Sequence, residues 1–402
     1  MHPAQRLAGL TESVIREMTR LAQKHDALNL SQGFPDFDPP PKVLTAAAQA
    51  LQSGNNQYAV TWGSARLRVA LADKYMRYYG MAVDAETDIT ITCGVTEAIV
   101  AALLGVVDPG DRVIILEPAH ENYLPGVLFA GGEPAWVTLS PPDFRLDEAR
   151  LRAAFAQRPR AIIVNTPHNP TGRVFTRDEL SLIGRLCVEY DTVAITDEIY
   201  EHIIYDGREH CPLATLPGMA QRTITTSGLS KTYAATGWRV GWVVACPRLS
   251  NAVRTVHDFL TICAPTPLQE AAAVALALPD SYYAELLRTY TARRDRMMTI
   301  LEEAGFQAAP PEGAYYVMAD FSALQPDVAM PPGSLSGQAS RDVAFARWLT
   351  VERKVAVVPG SSFYHDPRLG QDLVRFAFPK RLETLAEAAR RLGGLGAPNP
   401  GH

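Results

Sequence analysis

Residues 89–118 read ITITCGVTEAIVAALLGVVDPGDRVIILEP. Two short β-branched runs, ITIT and RVIIL, flank a segment whose apolar residues recur at helical spacing. Gly94 separates the first strand from the helix, and Asp108-Pro-Gly-Asp111 is a turn into the second strand. Strand, helix and strand in that order make a crossover unit, which joins parallel strands. The pattern repeats outward: AWVTL (135–139), a helical stretch at 146–157, AIIVN (161–165), and the capping box Thr176-Arg-Asp-Glu179 before SLIGRLCVEY. TVAIT (192–196), RTITT (222–226) and VGWVVAC (240–246) complete the set. The fold class is therefore α/β: a large domain with a mainly parallel seven-stranded sheet, covered by helices on both faces.

The last third of the chain reads differently. Helical stretches at 283–304, 341–354 and 384–392 surround strand-like pieces at 315–320, 355–358 and 373–378, which predicts a smaller α+β domain. The expected division is a large domain at 46–290 and a discontinuous small one built from 1–45 and 291–392. The Pro/Gly/Ser-rich tract 329–338 reads as a surface loop, and 393–402 as a flexible tail.

Composition narrows the class without proposing an activity. The chain has 402 residues, 47% of them apolar, with 38 basic and 43 acidic side chains and a formal charge of −5. That balance argues against a nucleic-acid surface, which needs concentrated positive charge. The longest strongly apolar stretch, 98–107, is far short of the ~20 residues that span a bilayer. The polar, amphipathic start predicts no signal peptide. The five cysteines are scattered, with no metal-ligand spacing, and predict reduced thiols in a cytoplasmic protein and no metal site.

In open α/β sheets, ligands bind beyond the carboxyl ends of the strands. After ITITC comes Gly94-Val95-Thr96 at a helix start, where free N–H groups and the helix dipole favour a phosphate. After AIIVN comes Asn169 in a proline-braced turn. After TVAIT comes Asp197, with Tyr200 three residues on. After RTITT come Ser227, Lys231 and then Arg239. Singly, each has an ordinary structural reading: a helix cap, a turn, a solvated charge. Together they place an anion cradle, an amide, a carboxylate with a phenol, and a lysine with an arginine along one sheet edge.

These residues, with Ser31-Gln-Gly-Phe-Pro-Asp-Phe37, Asn56-Gln-Tyr58, Asn165-Thr-Pro-His-Asn169-Pro-Thr-Gly172, Ser230-Lys231-Thr-Tyr-Ala-Ala-Thr-Gly237-Trp-Arg239, Val358-Pro-Gly-Ser-Ser-Phe363 and Val374-Arg375-Phe-Ala-Phe378, resemble the class I/II aminotransferases. These are pyridoxal-phosphate enzymes of fold type I. The match runs from about residue 29 to 392 and looks most like the branch with kynurenine, glutamine–phenylpyruvate and methionine aminotransferases. The resemblance implies that Lys231 forms the imine with pyridoxal 5′-phosphate and later moves the α-proton of an L-amino acid. It implies that Asp197 pairs with the pyridine nitrogen, and that Asn169 and Tyr200 bond the ring oxygen. Gly94, Val95, Thr96, Ser227 and Arg239 would hold the phosphate. Arg375 would take the substrate carboxylate beside Gly33 and Asn169, through paired hydrogen bonds. Tyr58 would reach the phosphate of a neighbouring subunit, which implies a homodimer with shared sites.

Two positions depart from the family pattern. Relatives carry P-[FY]-[FY]-D-x-Y where this chain has Pro118-Ala-His-Glu-Asn-Tyr123, so His120 takes the position stacked on the cofactor ring and adds a titratable group there. Gly228 lacks the hydroxyl that many relatives direct at the phosphate. His168 is expected to be structural, and His202 and His210 to lie on the surface.

Other enzyme classes lack their motifs. Gly228 removes the serine of an S-x-x-K acylating enzyme, no G-x-G-x-x-G string occurs, and there is no Gly-Lys dipeptide for a P-loop. The main expectation is amino-group transfer from an L-amino acid to a 2-oxo acid. The alternative within the fold is a lyase or a β/γ-eliminating or substituting enzyme, acting for example on S-adenosylmethionine. It rests on His120 and the 329–338 insertion.

Overall fold

The computed structural model describes residues 4, 7, 10, 12–324 and 340–395. The short strand β1 (Leu28–Asn29) lies outside the main sheet. That sheet contains β2 (Ile89–Thr92), β3 (Arg112–Glu117), β4 (Glu133–Thr138), β5 (Ala161–Asn165), β6 (Val193–Asp197), β7 (Thr223–Gly228) and β8 (Gly241–Val244). Its spatial order is β2-β8-β7-β6-β5-β3-β4. Only β8 is reversed, pairing antiparallel with β2 and β7, while the remaining pairs are parallel. Six strands therefore end on the same edge, and β8 begins there.

Alternation along each strand divides the core between the two faces. Val113, Ile115, Ile163 and Ile195 pack beneath the helices Val95–Val106 and Pro247–Thr261. Ile114, Leu116, Ile162 and Val164 face the helices Glu148–Phe155 and Arg177–Glu189. The Thr176–Glu179 capping box is present, with each side chain bonded to the other's backbone N–H. Burying side chains of this size contributes about 1.5–3 kcal/mol each.

A second sheet of β9 (Tyr316–Asp320), β11 (Val358–Pro359) and β12 (Leu373–Ala377) is antiparallel, in the order β11-β12-β9. The two-residue β10 (Val355–Ala356) pairs with β1 instead, so one expected strand at 355–358 is divided between two sheets. The helices Asp280–Glu303, Arg341–Glu352 and Leu382–Leu392 pack with this sheet around Phe321, Phe345 and Phe376. The tract 329–338 and residues 396–402 lie outside the described residues. No helix among the described residues is long and apolar enough to cross a membrane.

Candidate active site

The strand register brings the site together. Asn165 and Asp197 sit side by side at the ends of β5 and β6, with Thr226 of β7 next in register. The Asn169 turn folds back onto this edge. Asn169 donates its backbone N–H to Asn165 Oδ1 at 2.7 Å, and Asn165 Nδ2 donates to the Asp197 carbonyl at 2.8 Å. Beyond the edge lies a cavity of ≈ 120 Å³. Val95, Thr96, His120, Asn169, Asp197, Tyr200, Lys231 and Arg239 all line it.

Asp197 is buried. Its Oδ2 accepts from the Tyr123 hydroxyl at 2.7 Å and its Oδ1 from the Ile199 N–H at 3.3 Å. No basic side chain forms an ion pair with it among the described residues. Burial pushes the carboxyl up to about 6, while Tyr123 and the Ile199 amide pull it down. Such a group costs stability as pH rises from its unfolded value toward 6, by about 3 kcal/mol once ionised. A cation placed against it would offset that cost.

Lys231 Nζ donates to the Gly33 carbonyl at 3.0 Å, and the Tyr315 hydroxyl donates to the same oxygen at 2.9 Å. Burial lowers the lysine pKa, opposed by Tyr316 and Asp197. This increases the share of neutral amine, the nucleophilic form.

Gly94, at φ +84°, is the N-cap of the helix Val95–Val106, with no side chain capping that helix start. A Cβ at Gly94 would lie 2.3 Å from Arg239 Nη2, so glycine lets the guanidinium cross the helix start. Free amides and a guanidinium at one spot suit a dianion.

Arg375 on β12 is buried but is not in the cavity lining. Its Nη1 donates to Asn169 Oδ1 at 2.8 Å and its Nη2 to the Ser31 carbonyl at 2.7 Å. Its Nε is buried without a partner among the described residues. The guanidinium carbon lies 4.3 Å from the Tyr316 ring centre and 4.9 Å from that of Phe363.

Several expectations need correction. Ser227 does not line the cavity: its hydroxyl donates to Glu201 Oε1 at 2.7 Å. The side chain after Thr226 in β7 falls on the face that carries a buried Lys74–Glu201 ion pair. Ser230 lines the cavity instead. His202 and His210 are not surface residues. His210 Nε2 meets the fully buried Glu198 at 2.7 Å, and His202 is wedged between the rings of Tyr78 and Tyr283. The Tyr58 expectation is not among these corrections: the side chain is 77% exposed and outside the cavity of its own chain, as a residue directed at a neighbouring subunit would be.

Burial, with Arg375 and Lys231 nearby, pulls His120 down to about 3, so its imidazole is neutral in the physiological range. It offers a flat ring there and no titration, which removes one ground for altered chemistry. The residues missed in the sequence are Tyr123 and Tyr316. Tyr123 had a signal, since it stands one turn beyond His120. Tyr316 comes from the second sheet and had none.

A buried carboxylate with no ion-pair partner among the described residues, a lysine with a lowered pKa, and an anion cradle at a helix start form the donor set for a phosphorylated pyridine aldehyde. Comparison with known proteins decides the matter. The family model "Aminotransferase class I and II" matches residues 25–392.

The chain belongs to the class I and II aminotransferases.

It is 42% identical to a probable N-succinyldiaminopimelate aminotransferase of Mycobacterium tuberculosis, over 97% of this chain and 98% of that one. It is 37% identical to the methionine aminotransferase of Escherichia coli, over 98% of both chains. The solved structure of N-succinyldiaminopimelate aminotransferase from M. tuberculosis superposes with a TM-score of 0.91 at 41% identity, covering 97% of this chain and 99% of that one. This chain is thus a pyridoxal-phosphate-dependent aminotransferase of fold type I, with amino acids and 2-oxo acids as substrates.

Proposed function

We propose that this aminotransferase anchors pyridoxal 5′-phosphate on Lys231 and selects its substrates by the α-carboxylate through Arg375. One observation carries the reading: Lys231, Asp197, Asn169, Tyr200 and Arg239 line one cavity, and Arg375 is bonded to the Asn169 in that lining. When bound, the cofactor's protonated ring accepts the electron pair left behind as the α-proton departs. The chain supplies the rest. Asp197 keeps the ring nitrogen protonated. Tyr200 and Asn169 hold the ring oxygen, and His120 packs as a flat ring against the ring face. Val95, Thr96, Ser230 and Arg239 hold the phosphate. The Lys231 amine, once released from the cofactor, would take the α-proton at Nζ and return it to the carbon on the other side of the imine nitrogen. Gly33 keeps that amine in place through its carbonyl.

The same reading assigns 46–290 to a cofactor domain, and 1–45 with 291–392 to a smaller one that brings Gly33, Tyr316 and Arg375 to the site. It makes the enzyme a homodimer. Tyr58, Val60, Phe259, Leu260 and Ile262 are exposed. The Thr61–Asp258 hydrogen bond at 2.9 Å joins their two segments into one apolar patch. A partner covering that patch would bring Tyr58 to the neighbouring phosphate site. Sedimentation should give twice the chain mass. Five cysteines without a disulfide fit a cytoplasmic location.

The test is a single turnover with a panel of L-amino acids and no 2-oxo acid. One equivalent of aminated cofactor per site is expected, with no further turnover. Continuous release of ammonia or of a side-chain leaving group would replace transfer with elimination.

Asp197 sets a pH dependence. Its carboxyl must be ionised to pair with the ring nitrogen, so cofactor affinity should fall as pH drops through about 6. Tyr123→Phe removes a donor that favours the carboxylate and should move this break upward by about 1 in pH. Cofactor titrations of the cofactor-free protein between about pH 5 and 8 measure both. A flat profile would remove Asp197 from its assigned place.

A further inference from the structure

We infer that Tyr316 is a positioning residue that holds Tyr200 and Arg375 in register and raises the donor strength of the Tyr200 hydroxyl. The inference rests on the cofactor site proposed above and adds a residue to it. Tyr316 lines the cavity, and contacts with three residues, Tyr200, Arg375 and Gly33, fix it there. Its hydroxyl lies 3.0 Å from the Tyr200 hydroxyl, both groups being buried. Their rings meet edge to face, with centres 5.8 Å apart at 85°. The Arg375 guanidinium sits over the Tyr316 ring at 4.3 Å. The third contact is steric: a Cβ at Gly33 would lie 1.9 Å from the Tyr316 hydroxyl oxygen. Gly33 is therefore the gap into which this phenol fits.

The bond between the two hydroxyls can run either way in geometry, but a Tyr200 whose single proton is directed at the cofactor can only accept from Tyr316. Tyr316 thus donates to the Tyr200 oxygen and leaves the Tyr200 proton free to point into the cavity. Accepting a hydrogen bond polarises Tyr200 and strengthens the bond it donates onward. The acceptor there is the cofactor's ring oxygen. Stabilising the negative charge on that oxygen lowers the proton affinity of the imine nitrogen on Lys231. Tyr316 acts on the imine without touching it, through Tyr200.

The variant is Tyr316→Phe, which keeps the ring under Arg375 and removes only the hydroxyl. The readout is the midpoint of the pH titration of the Lys231-bound cofactor's absorbance, recorded on the holoenzyme without substrate. The midpoint should rise by about 0.5 in pH, an approximately threefold gain in imine proton affinity. Affinity for 3-phenylpropionate, a carboxylate without an amino group, should stay within about twofold, because the Arg375 platform is retained. Tyr316→Leu should add a loss of about tenfold in that affinity. Gly33→Ala, which pushes the phenol aside, should reproduce the upward midpoint with the hydroxyl still present. A midpoint in Tyr316→Phe equal to that of the parent enzyme overturns the inference, whatever the activity. A parent enzyme with no titrating chromophore overturns the Lys231 assignment itself, a different failure.

Discussion

Lys231→Ala should yield a folded protein that lacks the imine absorbance and has a kcat/KM lowered by about 10⁴-fold. Two losses combine in this one substitution. The covalent anchor disappears, so the cofactor is held only by Asp197, the ring contacts and the phosphate cradle. The base also disappears, and the other lining groups cannot replace it: burial holds His120 near 3 and raises Tyr200 well above its ordinary value. One is too weak a base and the other too reluctant an acid near neutrality. The fold itself should tolerate the change, because the amine's hydrogen-bond partner, the Gly33 carbonyl, keeps the Tyr315 hydroxyl at 2.9 Å. Absorbance spectra and steady-state rates decide the outcome. A surviving imine band, or activity within tenfold of the parent, would remove Lys231 from its role.

The sheet edge was legible because residues at strand ends belong to the backbone pattern. Once the β-branched runs 161–165, 192–196 and 222–226 are recognised as parallel strands, Asn169, Asp197 and Lys231 must converge. Gly94 was legible for the same reason, as the break between a strand and a helix. Ser227 failed at a finer level. It is still within β7, where alternation decides the face, and β7 runs on through Gly228 rather than stopping at Thr226. The two histidines failed because what covers them is tertiary: Glu198, beside Asp197, looked like an ordinary acidic residue, as did Glu201, and the Tyr78 and Tyr283 rings around His202 come from distant helices. Only the fold shows the two glutamates turned inward against His210 and Lys74. Tyr316 and the Tyr123–Asp197 bond, which spans 74 positions, depend on side-chain packing between distant elements. Local pattern can point to Tyr123 as a neighbour of His120, but it carries no trace of which distant group either tyrosine meets.

Arg375 should show the second large effect, and its substitutions separate charge from geometry. The guanidinium is buried with two of its nitrogens engaged by Asn169 and the Ser31 carbonyl. Its Nε has no partner among the described residues, and burial lowers the guanidinium's pKa. A bound α-carboxylate would give it a counter-charge. Truncating one member of a buried, hydrogen-bonded charge pair costs about 2–5 kcal/mol. Arg375→Leu should therefore lower kcat/KM for every amino acid by about 10² to 10³-fold. Part of any loss of thermal stability would come from Asn169 Oδ1 and the Ser31 carbonyl, left buried without a donor at about 1–3 kcal/mol each. Arg375→Lys avoids most of that cost. It retains a cation but presents a point charge where the site is shaped for a planar fork, so its rate should lie between those of the parent and the leucine variant. The imine absorbance should persist in both, since Lys231 is untouched. The decisive comparison uses a primary amine that lacks the carboxylate. Its slow half-reaction has no use for Arg375 and should run at similar rates in all three proteins. The preference for the amino acid over the amine should then collapse in Arg375→Leu, because only the amino acid has lost a contact. Equal losses on both substrates would mean that Arg375 supports the cavity wall and does not read the carboxylate.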